Sequence, residues 1–176
     1  LYTDAGFWKV FTFRFLHGKP FTQADIDAKR REVVLPVSVA RKLFATDDVV
    51  GRRFNMDAQE YRVCGVVEDV SAATPSSVGD MWLPITLNSW VTSDATGKLV
   101  GSVGIYMTAP DAEDKEALKE EVREVFRKLN LASDKYMNDL MGQPDDYWAS
   151  TFRFDSCSAP DLASELRMYL YMSVSY

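Results

Sequence analysis

The sequence predicts a globular protein built from both helices and strands, and three segments carry this prediction. Residues 7–16 place most of their aromatic side chains on one parity, residues 38–70 have the pattern of a short helix followed by a β-hairpin, and residues 111–129 repeat apolar residues with a helical period. With 176 residues, of which 47% are hydrophobic, the chain is long enough to bury a core of its own. Folding should therefore need neither a metal nor a disulfide.

The first predicted strand covers residues 7–16, FWKVFTFRFL, because four of its five aromatic residues share one parity. A turn at residues 18–20 ends the strand. Thr22 and Asp25 have the spacing of a capping box, and Phe21 and Ile26 have that of a hydrophobic staple. They predict a helix of about two turns that ends near Arg30 and Arg31.

The next unit runs from a strand into a helix and a hairpin. Residues 32–36, EVVLP, predict a short strand that ends at a proline. Ser38 is the predicted N-cap of a helix over residues 38–44, and Gly51 is expected at positive φ. Residues 52–56 should then pair with residues 60–70 through a turn at residues 57–59.

The second half gives one clear signal among weaker ones. Residues 71–80 predict a loop, residues 81–86 a strand, residues 93–98 a boundary and residues 99–109 another strand. Asp111 should cap an amphipathic helix with the apolar stripe Leu118, Val122, Val125, Phe126 and Leu129. Residues 150–156 predict a strand, and residues 168–176 fit either a strand or a helix.

A search for chemistry finds no catalytic motif. The one histidine, His17, is expected at a turn, and the adjacent acidic pairs are expected in solvent. The sequence contains no nucleotide-binding loop, no zinc motif and no calcium loop. A carboxylate hydrolase stays a hypothesis without a nominated pair, and a catalytic or metal site is not predicted.

Two other features have open interpretations. A loose cluster of aromatic and methionine residues could be a subdomain core or a binding patch for a protein or an apolar ligand; it comprises Tyr136, Met137, Met141, Tyr147 and Trp148. Cys64 and Cys157 are expected as free thiols, and the alternative is a bridge between them that closes a long loop.

Charge and hydropathy exclude two classes of protein. The net charge is −6, and the short basic run at residues 29–31 is too small for a nucleic-acid interface. The longest apolar stretches fall far short of the ~20 residues that span a bilayer. Because the sequence starts in mid-pattern without a methionine, we expect it to be a piece of a longer polypeptide.

Several of these segments together resemble a known family. FWKVFTFRFLHGKPF, VVLPVSVARKLFATDDVVGRRF, YRVCGVVEDV and MWLPIT are similar to the extracytoplasmic, periplasmic core domain of MacB/FtsX-like ABC-transporter permeases. The resemblance implies an α+β domain of two subdomains: a sabre-like helix and β-hairpin unit over residues 1–95 and a porter-like strand and helix unit over residues 96–161. Residues 162–176 would lead towards a transmembrane helix outside this chain.

The resemblance also implies a function. The chain would be non-catalytic and without a cofactor, standing in the periplasm and passing on motion driven by a cytoplasmic ATPase subunit or domain. Its expected partners are a second permease copy, as a homodimer or heterodimer, and a periplasmic adaptor or cargo. The alternative is a free secreted module that binds an apolar or peptide ligand, and apolar spans on both flanks of the chain would distinguish the two.

Overall fold

The computed structural model of the chain describes residues 1–72, 74, 76–89, 104–132 and 144. The chain divides into two compact units, Leu1–Met107 and Thr108–Tyr176. The boundary predicted between residues 95 and 96, the strand predicted over residues 150–156 and the segment over residues 162–176 all lie outside the described residues.

The first unit combines short helices with two sheets. Its strands are β1 (Tyr2–Thr3), β2 (Phe15–Gly18), β3 (Glu32–Pro36), β4 (Arg53–Met56), β5 (Gln59–Val67) and β6 (Leu83–Pro84). Its helices are α1 (Phe7–Val10), α2 (Gln23–Asp27), α3 (Val37–Phe44) and a 3-10 turn at Ile85–Leu87. In the second unit the structure describes one helix, α4 (Ala112–Ala132).

Strand β5 organises the larger sheet. It pairs in parallel with β3 and antiparallel with both β4 and β2, where β4 takes its first half and β2 its last residues. The smaller sheet pairs β1 in parallel with β6, and Trp82, just before β6, forms a bridge with Val34 of β3.

Both faces of the larger sheet are covered. Val33 and Leu35 of β3 belong to one buried cluster, which also includes Ala40 of α3. Val34, between them, belongs to a second cluster with Phe7 and residues of the α2 region. Because successive side chains of a strand point to opposite faces, β3 separates two cores.

The strand predicted over residues 7–16 is wrong over most of its length. Residues 7–10 form α1, since the Phe7 N–H donates to Asp4 Oδ1 at 2.9 Å and starts a helical turn. Phe7 and Phe11 then lie one turn apart with ring centroids at 4.8 Å. Trp8, of the opposite parity, contacts Phe13 in the same cluster, so aromatics of both parities share one core and the alternation did not mark a strand.

Helix α2 confirms the predicted capping box. Asp25 N–H donates to Thr22 Oγ1, and Thr22 N–H donates to Asp25 Oδ2. The helix is shorter than predicted and ends at Asp27, because Lys29 has a φ of +50°. Arg30 then turns back, and its Nη1 donates to Asp25 Oδ1 at 2.9 Å.

The helix and hairpin unit is confirmed, with a different cap. Pro36 is the residue before α3, and Ser38 lies inside the helix, where its N–H donates to Asp69 Oδ1 at 3.1 Å. The prediction of Ser38 as the N-cap was therefore wrong. Gly51 has the expected positive φ, and the hairpin turn is formed by two residues at positive φ, Asp57 and Ala58, as in a type I′ turn.

The strand predicted over residues 81–86 is real but short. Only Leu83 and Pro84 form β6, and the 3-10 turn follows immediately. The preceding loop is anchored, because the buried Trp82 Nε1–H donates to the Ser77 carbonyl at 3.3 Å.

The strand predicted over residues 99–109 is absent from its described part, residues 104–109, which have no regular structure. Ile105 is 79% exposed there, so its apolar side chain is not packed against a sheet. Helix α4 follows as predicted, capped by Asp111 Oδ1, which accepts the Asp114 N–H at 2.9 Å. Its apolar stripe is only partly covered, with Val125 54% exposed.

We expect Gly18→Ala to be far more damaging than Gly51→Ala. Both glycines have positive φ, +68° and +83°, so an alanine costs about 1–2 kcal/mol of backbone strain at either position. At Gly18 the added Cβ would also lie 2.2 Å from the Cys64 carbonyl oxygen, whereas at Gly51 it meets nothing within 4 Å. Urea unfolding of both variants measures the difference, and equal losses would contradict the close approach.

A second prediction concerns Asp25. Hydrogen bonds from Thr22 hold the pKa of this carboxyl below its ordinary value of 3.8, so the ionised form adds stability above about pH 4 and loses it as the pH falls through the lowered pKa. Asp25→Asn should lower the free energy of unfolding by about 1 kcal/mol at pH 7. The difference from the wild type should narrow as the pH falls below about 4. Asp27→Asn, in the same helix, should cost under about 0.5 kcal/mol. Urea unfolding at several pH values tests both, and a gap that stays the same as the pH falls from 7 to 2 would contradict the assignment.

Candidate functional site

The binding patch predicted from the sequence cannot be placed. Its five members, Tyr136, Met137, Met141, Tyr147 and Trp148, all lie outside the described residues. The patch therefore stays a prediction. Two cavities lie in the described part of the unit Leu1–Met107.

Several acidic side chains in the described part of this unit have structural partners. Glu68 pairs with Arg14 at 2.8 Å, whereas its neighbour Asp69 caps α3. Asp47 accepts hydrogen bonds from Arg41, which lower the pKa of its carboxyl, and it lies 3.8 Å from His17 Nε2. Within the part of the chain that the structure describes, no group of His, Cys, Asp and Glu side chains could hold a metal ion.

Cys64 is a free thiol and an unreactive one. Its side chain is half-buried, and its Sγ–H donates to the Val33 carbonyl at 3.3 Å. Burial raises the pKa of this thiol to about 12. The thiolate, which is the nucleophilic form, is therefore almost absent at neutral pH. Cys157, its hypothetical bridge partner, lies outside the described residues.

One cavity, of about 630 Å³, is polar and lies beside the start of β3. Two ion pairs line it: Arg62 to Glu32 at 2.6 Å and Arg30 to Asp25 at 2.9 Å. Glu32 is only 4% exposed and stands opposite Arg62 in the parallel ladder, so their pair joins β3 to β5. Since each carboxylate of this cavity already carries an arginine, its arrangement is structural.

The other cavity, of about 560 Å³, is apolar and lies between β1, the start of α1, the 3-10 turn and residues 104–106. We call it the β1–α1 cavity. Its walls include three aromatic side chains and two isoleucines: Tyr2, Phe7, Tyr106, Ile85 and Ile105. Mostly apolar concave sites of this size, with a few polar groups, are typical of small-molecule binding.

Polar side chains also line the β1–α1 cavity, among them Asp4, Thr3, Ser76 and Asn88. Asp4 lines it with a carboxylate of which Oδ1 accepts the Phe7 N–H. Thr3 is 5% exposed, and its hydroxyl has no hydrogen-bond partner among the described residues. The Leu1 nitrogen donates to the Met81 carbonyl at 2.8 Å.

Sequence reasoning missed this cavity because its residues come from distant segments. Tyr2 and Tyr106 are brought together only by folding, and no motif links them. One local signal pointed to α1. Asp4 stands three residues before Phe7, a spacing at which its carboxylate can accept the N–H at the start of a helical turn.

No helix in the described part of the chain is both long and apolar enough to cross a membrane.

Comparisons with known proteins place the chain in a family. The model of the MacB-like periplasmic core domain matches residues 1–125. Among solved structures, the chain is similar to a domain of a putative permease protein from Porphyromonas gingivalis, with 20% identity and a TM-score of 0.50 over 77% of this chain and 59% of that one. No curated protein matches it.

Two further structures are more distant in fold. The periplasmic region of MacB from Actinobacillus actinomycetemcomitans has 23% identity and a TM-score of 0.47, covering 69% of this chain and 54% of that one. The extracellular domain of the noncanonic ABC-type transporter YknZ from Gram-positive bacteria has 21% identity and a TM-score of 0.41, covering 49% and 42%.

This chain therefore spans between 42% and 59% of the length of these solved domains. The likeness to the Porphyromonas gingivalis domain agrees with the predicted α+β class. Because the family model covers more than two thirds of the sequence, residues 1–125, the chain belongs to the family of MacB-like periplasmic core domains.

Proposed function

We propose that this chain is the non-catalytic extracytoplasmic part of an ABC-transporter permease and that it passes ATP-driven motion to a periplasmic partner or cargo. The observation that carries the proposal is the family match over residues 1–125. In this scheme a separate cytoplasmic subunit or domain hydrolyses ATP, and a second permease completes a dimer.

The packing of the first unit supports a role in transmitting motion. A part that relays movement must hold its elements together under load, and β5 is hydrogen-bonded to three other strands. Asp69, just beyond the end of β5, also accepts the Ser38 N–H and so fastens α3 to the same strand. Displacement of β5 would therefore carry α3 with it.

The chemistry of the described residues also supports a non-catalytic role. Cys64 is protonated at neutral pH, and Glu32 and Asp47 are both engaged with arginines. A general acid or base needs a reacting group within hydrogen-bond reach and a pKa suited to its task. These side chains instead stabilise helices and strands.

The full-length gene product tests the proposal directly. We expect apolar spans of about 20 residues on the flanks of this chain and co-purification of the detergent-solubilised protein with an ATPase subunit or domain. The 176-residue chain alone should hydrolyse neither ATP nor model ester, glycoside and peptide substrates. Hydrolysis by the pure chain that survives repeated purification, or a gene product without apolar spans, would contradict the proposal.

The connection between β5 and α3 gives a second test. Asp69→Ala removes the acceptor of the Ser38 N–H, so the amides of residues 38–44 should exchange with deuterium several-fold faster, at a cost of about 1 kcal/mol. Glu68→Ala is the matched control, because it removes only an exposed ion pair with Arg14 worth about 0–1 kcal/mol. Equal exchange of residues 38–44 in the two variants would show that Asp69 does not fasten the helix.

The alternative function, a free secreted binding module, is favoured by one observation, the β1–α1 cavity. The flanking sequence separates the two hypotheses, since a secreted module would have no apolar spans. The presence of a ligand site by itself decides neither, because a permease domain can also contain one.

A further inference from the structure

We propose that the β1–α1 cavity binds a small molecule that combines an apolar, aromatic-sized body with one basic amine. The inference is drawn from the geometry of the unit Leu1–Met107 alone and does not depend on the proposed function. Every lining residue of the cavity belongs to that unit.

The size and walls of the cavity select the apolar body. Its volume of about 560 Å³ lies within the range of about 300–1,000 Å³ that small-molecule sites occupy. Tyr2, Tyr106 and Ile105 line it and leave 40%, 43% and 79% of their surface exposed. Covering such apolar surface yields about 25 cal/mol per Å², which favours a ligand that packs against it.

The charges of the cavity select the amine. Among the described residues that line the cavity, Asp4 is the only one with a charged side chain, and none is a lysine or an arginine. Its Oδ1 is used by the Phe7 N–H, and no described residue donates to Oδ2. The Asp4 carboxylate would therefore attract a cationic group of a ligand, whereas it would repel an anionic group.

The aromatic side chains fit the same ligand. The rings of Tyr2 and Tyr106 line the same cavity, and aromatic faces attract both apolar rings and ammonium groups. Tyr106 is held in place by an edge-on contact with Phe11, at 5.1 Å between ring centroids.

A pair of probes with the same apolar body tests the proposal. The 176-residue chain is titrated with 1-naphthylmethylamine and with 1-naphthylacetate, and binding is followed by amide chemical shifts, which also locate it. We expect the amine to bind with shifts at residues 2–7 and 104–106 and the carboxylate to bind at least about fivefold more weakly, a difference of about 1 kcal/mol.

Asp4→Asn is the decisive variant because an asparagine oxygen can still accept the Phe7 N–H and keep α1 capped. It should weaken amine binding about fivefold and abolish the preference over the carboxylate, with unchanged unfolding by urea. Asp48→Asn, which removes the same charge outside the cavity, should leave both affinities unchanged. The proposal is wrong if neither probe binds at 10 mM, if both bind equally well, if the shifts fall elsewhere, or if Asp4→Asn and Asp48→Asn have the same effect. None of these outcomes tests whether the chain is part of a transporter.

Discussion

The structure of the first unit depends on strand β5, which has hydrogen-bonded partners on both of its edges. On one edge it meets β3, and on the other it meets β4 and then β2. Two strands fit along one edge only because β4 ends its pairing near Arg62 and β2 begins at Gly65. At Gly65 a Cβ would lie 2.8 Å from the Lys19 carbonyl oxygen, so a glycine is needed for this approach. The remaining elements cover the two faces that this arrangement leaves.

The features that the sequence predicted correctly are set by a few neighbouring residues. The capping box of Thr22 and Asp25, the positive φ of Gly51, the β4–β5 hairpin and the cap at Asp111 each depend on contacts within about ten residues. The failures need partners that are distant or that compete. Asp69 lies 31 residues beyond the Ser38 N–H that it accepts, and no local pattern reveals such a pair. At residues 7–16 the aromatic alternation predicted a strand. Instead, the Asp4 carboxylate accepts the N–H of Phe7, the first residue of α1, and the aromatic side chains form one cluster.

The same reasoning explains the outcome for the site. Sequence pattern drew attention to methionine and aromatic residues that are near each other in the chain, over residues 136–148, and these lie outside the described residues. The β1–α1 cavity has walls from residues 1–10, 76–88 and 104–106, and the first two of these segments meet where β1 pairs with β6. A two-residue parallel pairing leaves almost no trace in a sequence. A site assembled in this way can be recognised only from the fold, whereas the family could be recognised from short, locally specific segments.

The carboxylates of this chain connect the fold with the function. In the described residues many of them serve structure, either as acceptors for helix N–H groups or as partners of arginines; examples are Asp4, Asp25, Glu32, Asp47, Asp69 and Asp111. Hydrogen bonds from Thr22 and from Arg41 lower the pKa of the Asp25 and Asp47 carboxyls, so both are ionised near neutral pH. These acidic side chains thus stabilise helices and strands in the described part of the chain. Asp4 is the informative case, because one oxygen caps a helix while the other faces no described donor and borders a cavity with apolar walls.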